Sequence, residues 1–178
     1  MTRATVVLVL VLLSAGCQSP APTTPLVQQV RAAITAEDFA NASATLDAFK
    51  AAQGQTPEWL EAYSWIGRGH LAANRLDEAE RHATAVYDMA TAMLKTRPMD
   101  AETRLPIAYG AAVEVLAQVE ARRGARSDAV VFLERERIAH AGTSIEKRIQ
   151  KNINLLSLEG TPAPSITAAE HLGPPPPS

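Results

Sequence analysis

Apolar side chains recur at intervals of three and four residues from Pro25 to about Leu158. This spacing puts them on one face of a helix, whereas the side chains of a half-buried strand alternate between apolar and polar. No stretch within 25–158 alternates in that way for more than a few residues. The pattern therefore predicts an all-α body.

Residues that start and end helices divide this body into seven segments. Thr56 followed by Pro57 is typical of a helix start, because a hydroxyl caps free N–H groups and proline fits the first turn. Asn74 and Gly124 are predicted to end helices, since both residue types adopt the left-handed conformation readily. Asp100 is expected to cap the long helix that Gly124 ends. The segments predict three helix pairs and a C-terminal capping helix.

The third and fourth segments carry a distinctive order of bulky and small residues. Tyr63, Ile66 and Gly67 lie on the first helix of this pair, and Ala79 lies on the second. This order resembles the tetratricopeptide repeat (TPR). In that repeat, an aromatic, a bulky apolar and a small residue mark the first helix, and an alanine marks the close helix crossing in the second. Small residues allow two helices to approach to the short end of their usual separation. The resemblance implies that these four residues are packing positions.

Two weaker copies of the pattern flank the central one. Ala42 lies 37 residues before Ala79, and Ala129 lies 50 residues after it, whereas the TPR unit is about 34 residues long. The resemblance implies a TPR-like α-solenoid over 25–158, in which Ala42 and Ala129 are also packing positions. The alternative is a helical bundle in which these alanines coincide by chance.

The TPR resemblance also implies a concave surface lined by the first helix of each pair. The lining positions of the family fall on Val27, Arg31, Ile34, Glu61, Ser64, Arg68, Leu71, Glu114, Gln118 and Arg122. Arg31, Arg68, Gln118 and Arg122 are the candidate protein-binding residues, since a guanidinium can bind a carboxylate through two parallel hydrogen bonds. The expected ligand has acidic side chains or a free carboxylate. The alternative is that the arginines pair with the glutamates of the same surface.

Composition supports a helical body and limits the classes of function. Of 178 residues, 47% are hydrophobic but only 4% are aromatic, which favours closely packed helices over a sandwich or barrel. The formal net charge of −2 gives no electrostatic footprint for nucleic acid. No catalytic or metal-binding constellation is recognisable, so neither enzyme activity nor a cofactor is expected. His70 falls on a packing position, whereas His82 and His140 are expected to face solvent.

The N-terminal segment combines a positive charge, an apolar run and the one cysteine of the chain. Arg3 precedes the apolar residues 6–13, and the sequence Leu-Ser-Ala-Gly-Cys follows at 13–17. The apolar run is too short to span a bilayer as an ordinary transmembrane helix. The segment resembles a bacterial lipobox, which implies that the thiol of Cys17 carries a lipid.

The lipobox resemblance implies a signal peptide over 1–16 and a polar tether over 17–24. Gln18 follows the cysteine, where an aspartate commonly retains such lipoproteins in the inner membrane. The expected location is therefore the outer membrane, facing the periplasm. The alternatives are an ordinary secretory signal with an incidental cysteine and an uncleaved anchor.

Residues 159–178 are a proline-rich tail that the composition predicts to be disordered or extended. Its run Gly-Thr-Pro-Ala-Pro at 160–164 resembles the opening of redoxin domains, which have a thioredoxin-like fold. This resemblance implies that the helical region precedes a redoxin domain in a longer exported protein, or that the reading frame is truncated. Redox activity is not expected of this chain itself, because the mature chain has no pair of thiols.

These features together predict a membrane-anchored protein-interaction module of the bacterial envelope. The module is expected to be the N-terminal part of, or an accessory to, a thioredoxin-like thiol–disulfide oxidoreductase. The alternative is a free-standing outer-membrane lipoprotein adaptor for envelope assembly or secretion. The expected partners are an unidentified protein or peptide and the membrane, through the lipid on Cys17, but not nucleic acid.

Overall fold

The computed structural model describes residues 24–158 and Gly160, and all regular structure in this part of the chain is helical. The seven α-helices are α1 Leu26–Thr35, α2 Phe39–Gln53, α3 Pro57–Ala72, α4 Leu76–Leu94, α5 Arg104–Arg122, α6 Arg126–Ala139 and α7 Glu146–Leu158. A 3₁₀ turn, Met99–Ala101, lies between α4 and α5. The prediction of an all-α body is confirmed.

Several predicted segments lie outside the described residues. These are the signal peptide 1–16, the lipidation site Cys17, the tether apart from Thr24, and the tail apart from Gly160. Within 24–158, none of the helices combines the length and the apolar character that crossing a bilayer requires.

Local signals set three helix boundaries where the sequence predicts them. The side chain of Thr56 accepts a hydrogen bond from the backbone N–H of Trp59 at 3.2 Å, which caps the start of α3. Asn74, after α3, has a φ of 56°, and Gly124, after α5, has a φ of 91°. Both values lie in the left-handed region, which lets the chain turn away from the helix axis.

The start of α5 differs from the prediction. Asp100 lies in the 3₁₀ turn, and its carboxylate accepts a hydrogen bond from the backbone N–H of Ser144 at 3.1 Å. The carboxylate of Glu102 instead accepts hydrogen bonds from the backbone N–H groups of Arg104 and Leu105. The prediction that Asp100 caps this helix is wrong, because a carboxylate nearer to the helix satisfies its free N–H groups.

The helices pack in the order in which they occur along the chain. The odd-numbered helices α1, α3, α5 and α7 lie side by side, and each even-numbered helix packs against the odd-numbered helices before and after it. Helices α3 and α5 each contact four other helices: α3 contacts α1, α2, α4 and α5, and α5 contacts α3, α4, α6 and α7. Sequential packing of this kind is compatible with an α-solenoid, in which each unit contacts only its neighbours.

The packing residues of the sequence pattern lie inside or at the edge of the core. Ala42, Ala79 and Ala129 have no exposed surface, Ile66 is buried, and Tyr63 is partly buried. The alanines therefore lie where neighbouring helices meet, and their small side chains let the helices come close together.

Two glycines of α3 face neighbouring helices, and a Cβ atom would fit at only one of them. A Cβ atom at Gly67 would lie 3.5 Å from the carbonyl oxygen of Ala79 and 3.5 Å from the backbone nitrogen of Ala83, both on α4. A Cβ atom at Gly69 would lie 2.6 Å from Cγ2 of Ile34 on α1, which is closer than two carbon atoms can approach. The contact between α3 and α1 therefore requires glycine at position 69.

Candidate functional site

One row of interacting side chains crosses the four odd-numbered helices. The guanidinium carbon of Arg31 on α1 lies 4.4 Å from the centre of the Trp65 ring on α3. The guanidinium carbon of Arg68, also on α3, lies 4.7 Å from the same ring centre. Glu114 on α5 contacts both Arg68 and Arg148, the latter on α7. We call Arg31, Trp65, Arg68, Glu114 and Arg148 the arginine strip.

A single carboxylate oxygen joins the α3, α5 and α7 parts of the strip. Oε2 of Glu114 accepts hydrogen bonds from Nη2 of Arg148 at 2.5 Å and from Nε at 3.2 Å. The same oxygen is 3.7 Å from Nη2 of Arg68, a distance at which an ion pair exists without a hydrogen bond. All three side chains are partly exposed, so solvent and ligands can reach this part of the strip.

Gly110 on α5 provides the space in which Arg148 lies. A Cβ atom at this position would be 3.2 Å from Cδ and 3.1 Å from Nη1 of Arg148. Nη1 also donates a long hydrogen bond of 3.4 Å to the carbonyl oxygen of Ile107. Glycine inside a helix costs about 1 kcal/mol relative to alanine, and here it lets the guanidinium lie against the backbone of α5.

Positive charge exceeds negative charge in the strip. Three guanidinium groups are present with one carboxylate, that of Glu114. The pKa of Arg68 is lowered, first by burial and then by the positive charge of Arg148, while Arg31 adds a smaller effect in the same direction. Because arginine stays protonated, the repulsion persists at neutral pH. A further carboxylate in the strip would reduce it.

The binding residues predicted from sequence fall into two groups. Arg31 and Arg68 lie together in the strip. Arg122 donates a hydrogen bond to the carbonyl oxygen of Leu71 at 2.7 Å, so its guanidinium is a second donor to a carbonyl that also accepts from the backbone N–H of Asn74. Gln118 is half-buried and lies one helical turn before Arg122. The strip thus includes two of the four candidates.

Sequence reasoning missed Trp65 and Arg148. The interval from Arg31 to Trp65 is 34 residues, and the interval from Glu114 to Arg148 is also 34 residues. This interval equals the TPR unit of about 34 residues. The spacing of charged and aromatic residues was therefore the signal that could have identified Trp65 and Arg148.

Glu61 belongs to a separate group of ion pairs at the start of α3 and α5. Nη1 of Arg104 is 3.1 Å from a carboxylate oxygen of Glu61, and Nη2 is 3.8 Å from one of Glu58. The alternative that the predicted arginines pair with glutamates of the same surface is correct for Arg68, which pairs with Glu114. Glu61 pairs instead with an arginine outside the predicted set.

His70 and His82 lie in a stack of aromatic rings. The ring of His70 is buried and stacks on Phe39 at 4.3 Å and on His82 at 5.2 Å between ring centres. Nδ1 of His82 is 2.9 Å from the hydroxyl of Tyr63. Burial, followed by the proximity of His70, lowers the pKa of His82 to about 4. The prediction that His82 faces solvent is wrong, because the rings of Tyr63 and His70 enclose it.

His140 also lies in a polar cluster between helices. Its Nε2 is 2.9 Å from the hydroxyl of Tyr109. Tyr109 and Tyr87 both donate hydrogen bonds to the carboxylate of Glu136, which is only 3% exposed. Burial, reinforced by the hydrogen bond to Glu136, raises the pKa of Tyr109. The prediction that His140 faces solvent is wrong, and the cluster joins α4, α5 and α6.

Neither a metal centre nor a known relative guides the assignment of function. Among residues 24–158, no group of three or more His, Cys, Asp and Glu side chains is arranged to hold a metal ion. Comparison of the chain with protein-family models, with curated proteins and with solved structures finds no match. The arginine strip is therefore the main guide to function.

Proposed function

We propose that the chain is a TPR-like protein-interaction module whose arginine strip binds an acidic segment of a partner protein. The observation that supports this function is the excess of guanidinium groups over carboxylates in a row that crosses four helices. Hydrogen bonds between a guanidinium and a carboxylate are roughly twice as strong as those between neutral groups. A guanidinium that stacks on an aromatic ring keeps N–H donors at its edges, where a ligand can accept from them.

The TPR-like arrangement is supported by the packing of the helices in chain order. It is also supported by the two intervals of 34 residues that link members of the strip on neighbouring odd-numbered helices. In the family that the chain resembles, the first helix of each pair lines the binding surface. The odd-numbered helices correspond to those first helices.

The row favours an extended ligand over a compact one. Packed helices are about 8–10 Å apart, so a row across four of them spans roughly 24–30 Å. An extended chain rises about 3.3 Å per residue, and roughly eight residues therefore cover this length. Acidic residues at every second position would all face the strip, because side chains of an extended chain alternate between two sides.

Binding of a synthetic peptide tests this function. The probe is an eight-residue, fluorescein-labelled peptide of alternating glycine and glutamate, measured by fluorescence anisotropy at low ionic strength. Replacing Arg31 or Arg68 by alanine is expected to weaken binding about tenfold, the effect of losing one hydrogen-bonded charge pair. Arg97→Ala is the matched control, because Arg97 is an exposed arginine between α4 and the 3₁₀ turn. Equal affinity of all three variants and the wild type would contradict the proposed function.

The proposed setting of this module is the envelope, with a lipid on Cys17 as the anchor. It is supported by the lipobox-like sequence that ends at Cys17, and Gln18 favours the outer membrane. Cys17→Ser is expected to release the protein from membranes and to abolish labelling by a fatty-acid analogue. Labelling that persists in this variant would contradict the anchor.

A second candidate function is an accessory role in thiol–disulfide chemistry. The redoxin-like run at 160–164 favours it, since this run begins two residues after the end of α7 at Leu158. If this role is correct, the coding DNA beyond Ser178 should contain a Cys-x-x-Cys motif. If no frame beyond Ser178 encodes such a motif, the free-standing adaptor is the remaining form of the same module.

A further inference from the structure

We infer that the position between Arg68 and Arg148 is a carboxylate subsite of the arginine strip, and that Glu114 fills it in the ligand-free chain. A carboxylate of the ligand would take the place of Glu114 there. Glu114 would then lower the affinity of the strip by competing with the ligand. The inference rests on the proposed function and adds to it the residue that regulates binding.

The first support is the one-sided way in which Glu114 contacts its partners. All three contacts with Arg148 and Arg68 use the same oxygen, Oε2. The strongest arginine–carboxylate pairs are bidentate and use both oxygens in parallel hydrogen bonds. The attachment of Glu114 to α5 restricts how its carboxylate is oriented between the two arginines. The carboxylate of a ligand does not have this restriction. The subsite can therefore bind a ligand carboxylate more favourably than it binds Glu114.

The second support is that Arg148 stays positioned without Glu114. Its guanidinium lies in the space left by Gly110, and Nη1 reaches the carbonyl oxygen of Ile107. These contacts involve the backbone of α5 and do not depend on a carboxylate. Displacement of Glu114 would thus leave a guanidinium that is already oriented for a ligand.

The third support is the accessibility of the subsite. The side chain of Glu114 is 37% exposed, so it can move into solvent while the carboxylate of the ligand takes its place beside Arg68 and Arg148. Ion pairs at such partly exposed positions contribute little to stability, so a ligand displaces this glutamate at low cost.

The test measures binding of the alternating glycine–glutamate peptide to E114Q. Glutamine keeps the size of the side chain and removes its charge, so the variant is expected to bind the peptide about two- to fivefold more tightly than wild type. E134Q is the matched control, because it removes the same charge from an ion pair with Arg137 on α6. A gain in E114Q beyond that in E134Q supports the subsite, whereas equal affinities overturn it.

A second variant separates competition from a general change in charge. In the background of Arg148→Ala, which removes half of the subsite, E114Q should give a smaller gain than it gives in the wild type. An equal gain in both backgrounds would overturn the inference, even if E114Q alone binds more tightly. Circular dichroism of each variant establishes that the helical fold is retained.

The same experiment distinguishes this inference from the proposed function. If the wild type binds the acidic peptide and E114Q binds it no better, only the subsite is wrong. If the wild type and both glutamine variants bind it no better than a peptide of alternating glycine and glutamine, the proposed function is wrong, and the subsite with it.

Discussion

Replacing Gly69 by alanine should destabilise the protein, because the new methyl group has no space between α3 and α1. The Cβ atom would lie 2.6 Å from Cγ2 of Ile34 and 3.1 Å from Cε1 of Phe39. Isoleucine is stiff at χ1, so Cγ2 cannot swing away without moving α1. Phe39 is restrained as well, since its ring stacks on His70 at 4.3 Å.

The size of this effect follows from two opposing contributions. An extra methyl group in a well-packed core costs about 1–3 kcal/mol. Alanine regains about 1 kcal/mol over glycine inside a helix. The free energy of unfolding of Gly69→Ala is therefore expected to fall by up to about 2 kcal/mol.

Gly67→Ala is the matched control on the same helix, two residues away. Its Cβ atom would lie 3.5 Å from the backbone of Ala79 and Ala83, an ordinary van der Waals distance. The gain in helix propensity should then dominate and stabilise the protein by up to about 1 kcal/mol. Urea denaturation followed by circular dichroism at 222 nm measures both variants. If Gly69→Ala is as stable as Gly67→Ala, α1 does not pack against α3 in the described register.

Three further predictions concern polar groups between helices. His82 should account for a fall of about 2 kcal/mol in the free energy of unfolding between pH 6.5 and pH 4, after allowance for partial exposure. The unfolded chain takes up a proton at the usual histidine pKa, whereas His82 in the fold has a pKa of about 4. The contribution of His82 to stability is complete above pH 6.5. His82→Gln should remove the part of the loss that is due to His82, as measured by urea titrations at pH 6.5 and pH 4. Glu136→Ala should cost about 2–4 kcal/mol in the same assay, since Tyr87 and Tyr109 lose their acceptor, whereas exposed Arg97→Ala should cost less than about 0.5 kcal/mol. Arg122→Ala should lower stability by about 0.5 kcal/mol, because the carbonyl of Leu71 loses one of its two donors and keeps the backbone N–H of Asn74, and should leave peptide binding unchanged.

Local signals account for most of the fold that could be predicted. The start of α3 depends on Thr56 and a backbone N–H three residues later, so both partners stand together in the sequence. The turn at Asn74 likewise needs only the conformational preference of that residue. The prediction for Asp100 is wrong because Glu102, two residues later, has the same capping chemistry and lies nearer to α5. Propensity alone cannot rank two such neighbours.

The candidate site depended on contacts between residues that are distant in sequence. Arg31 and Arg68 could be taken from repeat positions, since a repeat fixes which helix faces the binding surface. Arg148 lies at the repeat interval from Glu114, but the spacing alone does not show that the two side chains meet, because that depends on how α7 is aligned against α5. For the same reason the environment of His82 could not be foreseen: its partner Tyr63 lies on another helix.

Reversal of charge in the strip tests its binding role most directly. The double variant Arg31→Glu with Arg68→Glu is titrated with two eight-residue labelled peptides, one of alternating glycine and glutamate and one of alternating glycine and lysine. The double variant is expected to lose affinity for the acidic peptide and to gain affinity for the basic one, with its helical circular dichroism unchanged. Undiminished binding of the acidic peptide by the folded double variant would contradict the claim that the arginine strip recognises acidic segments.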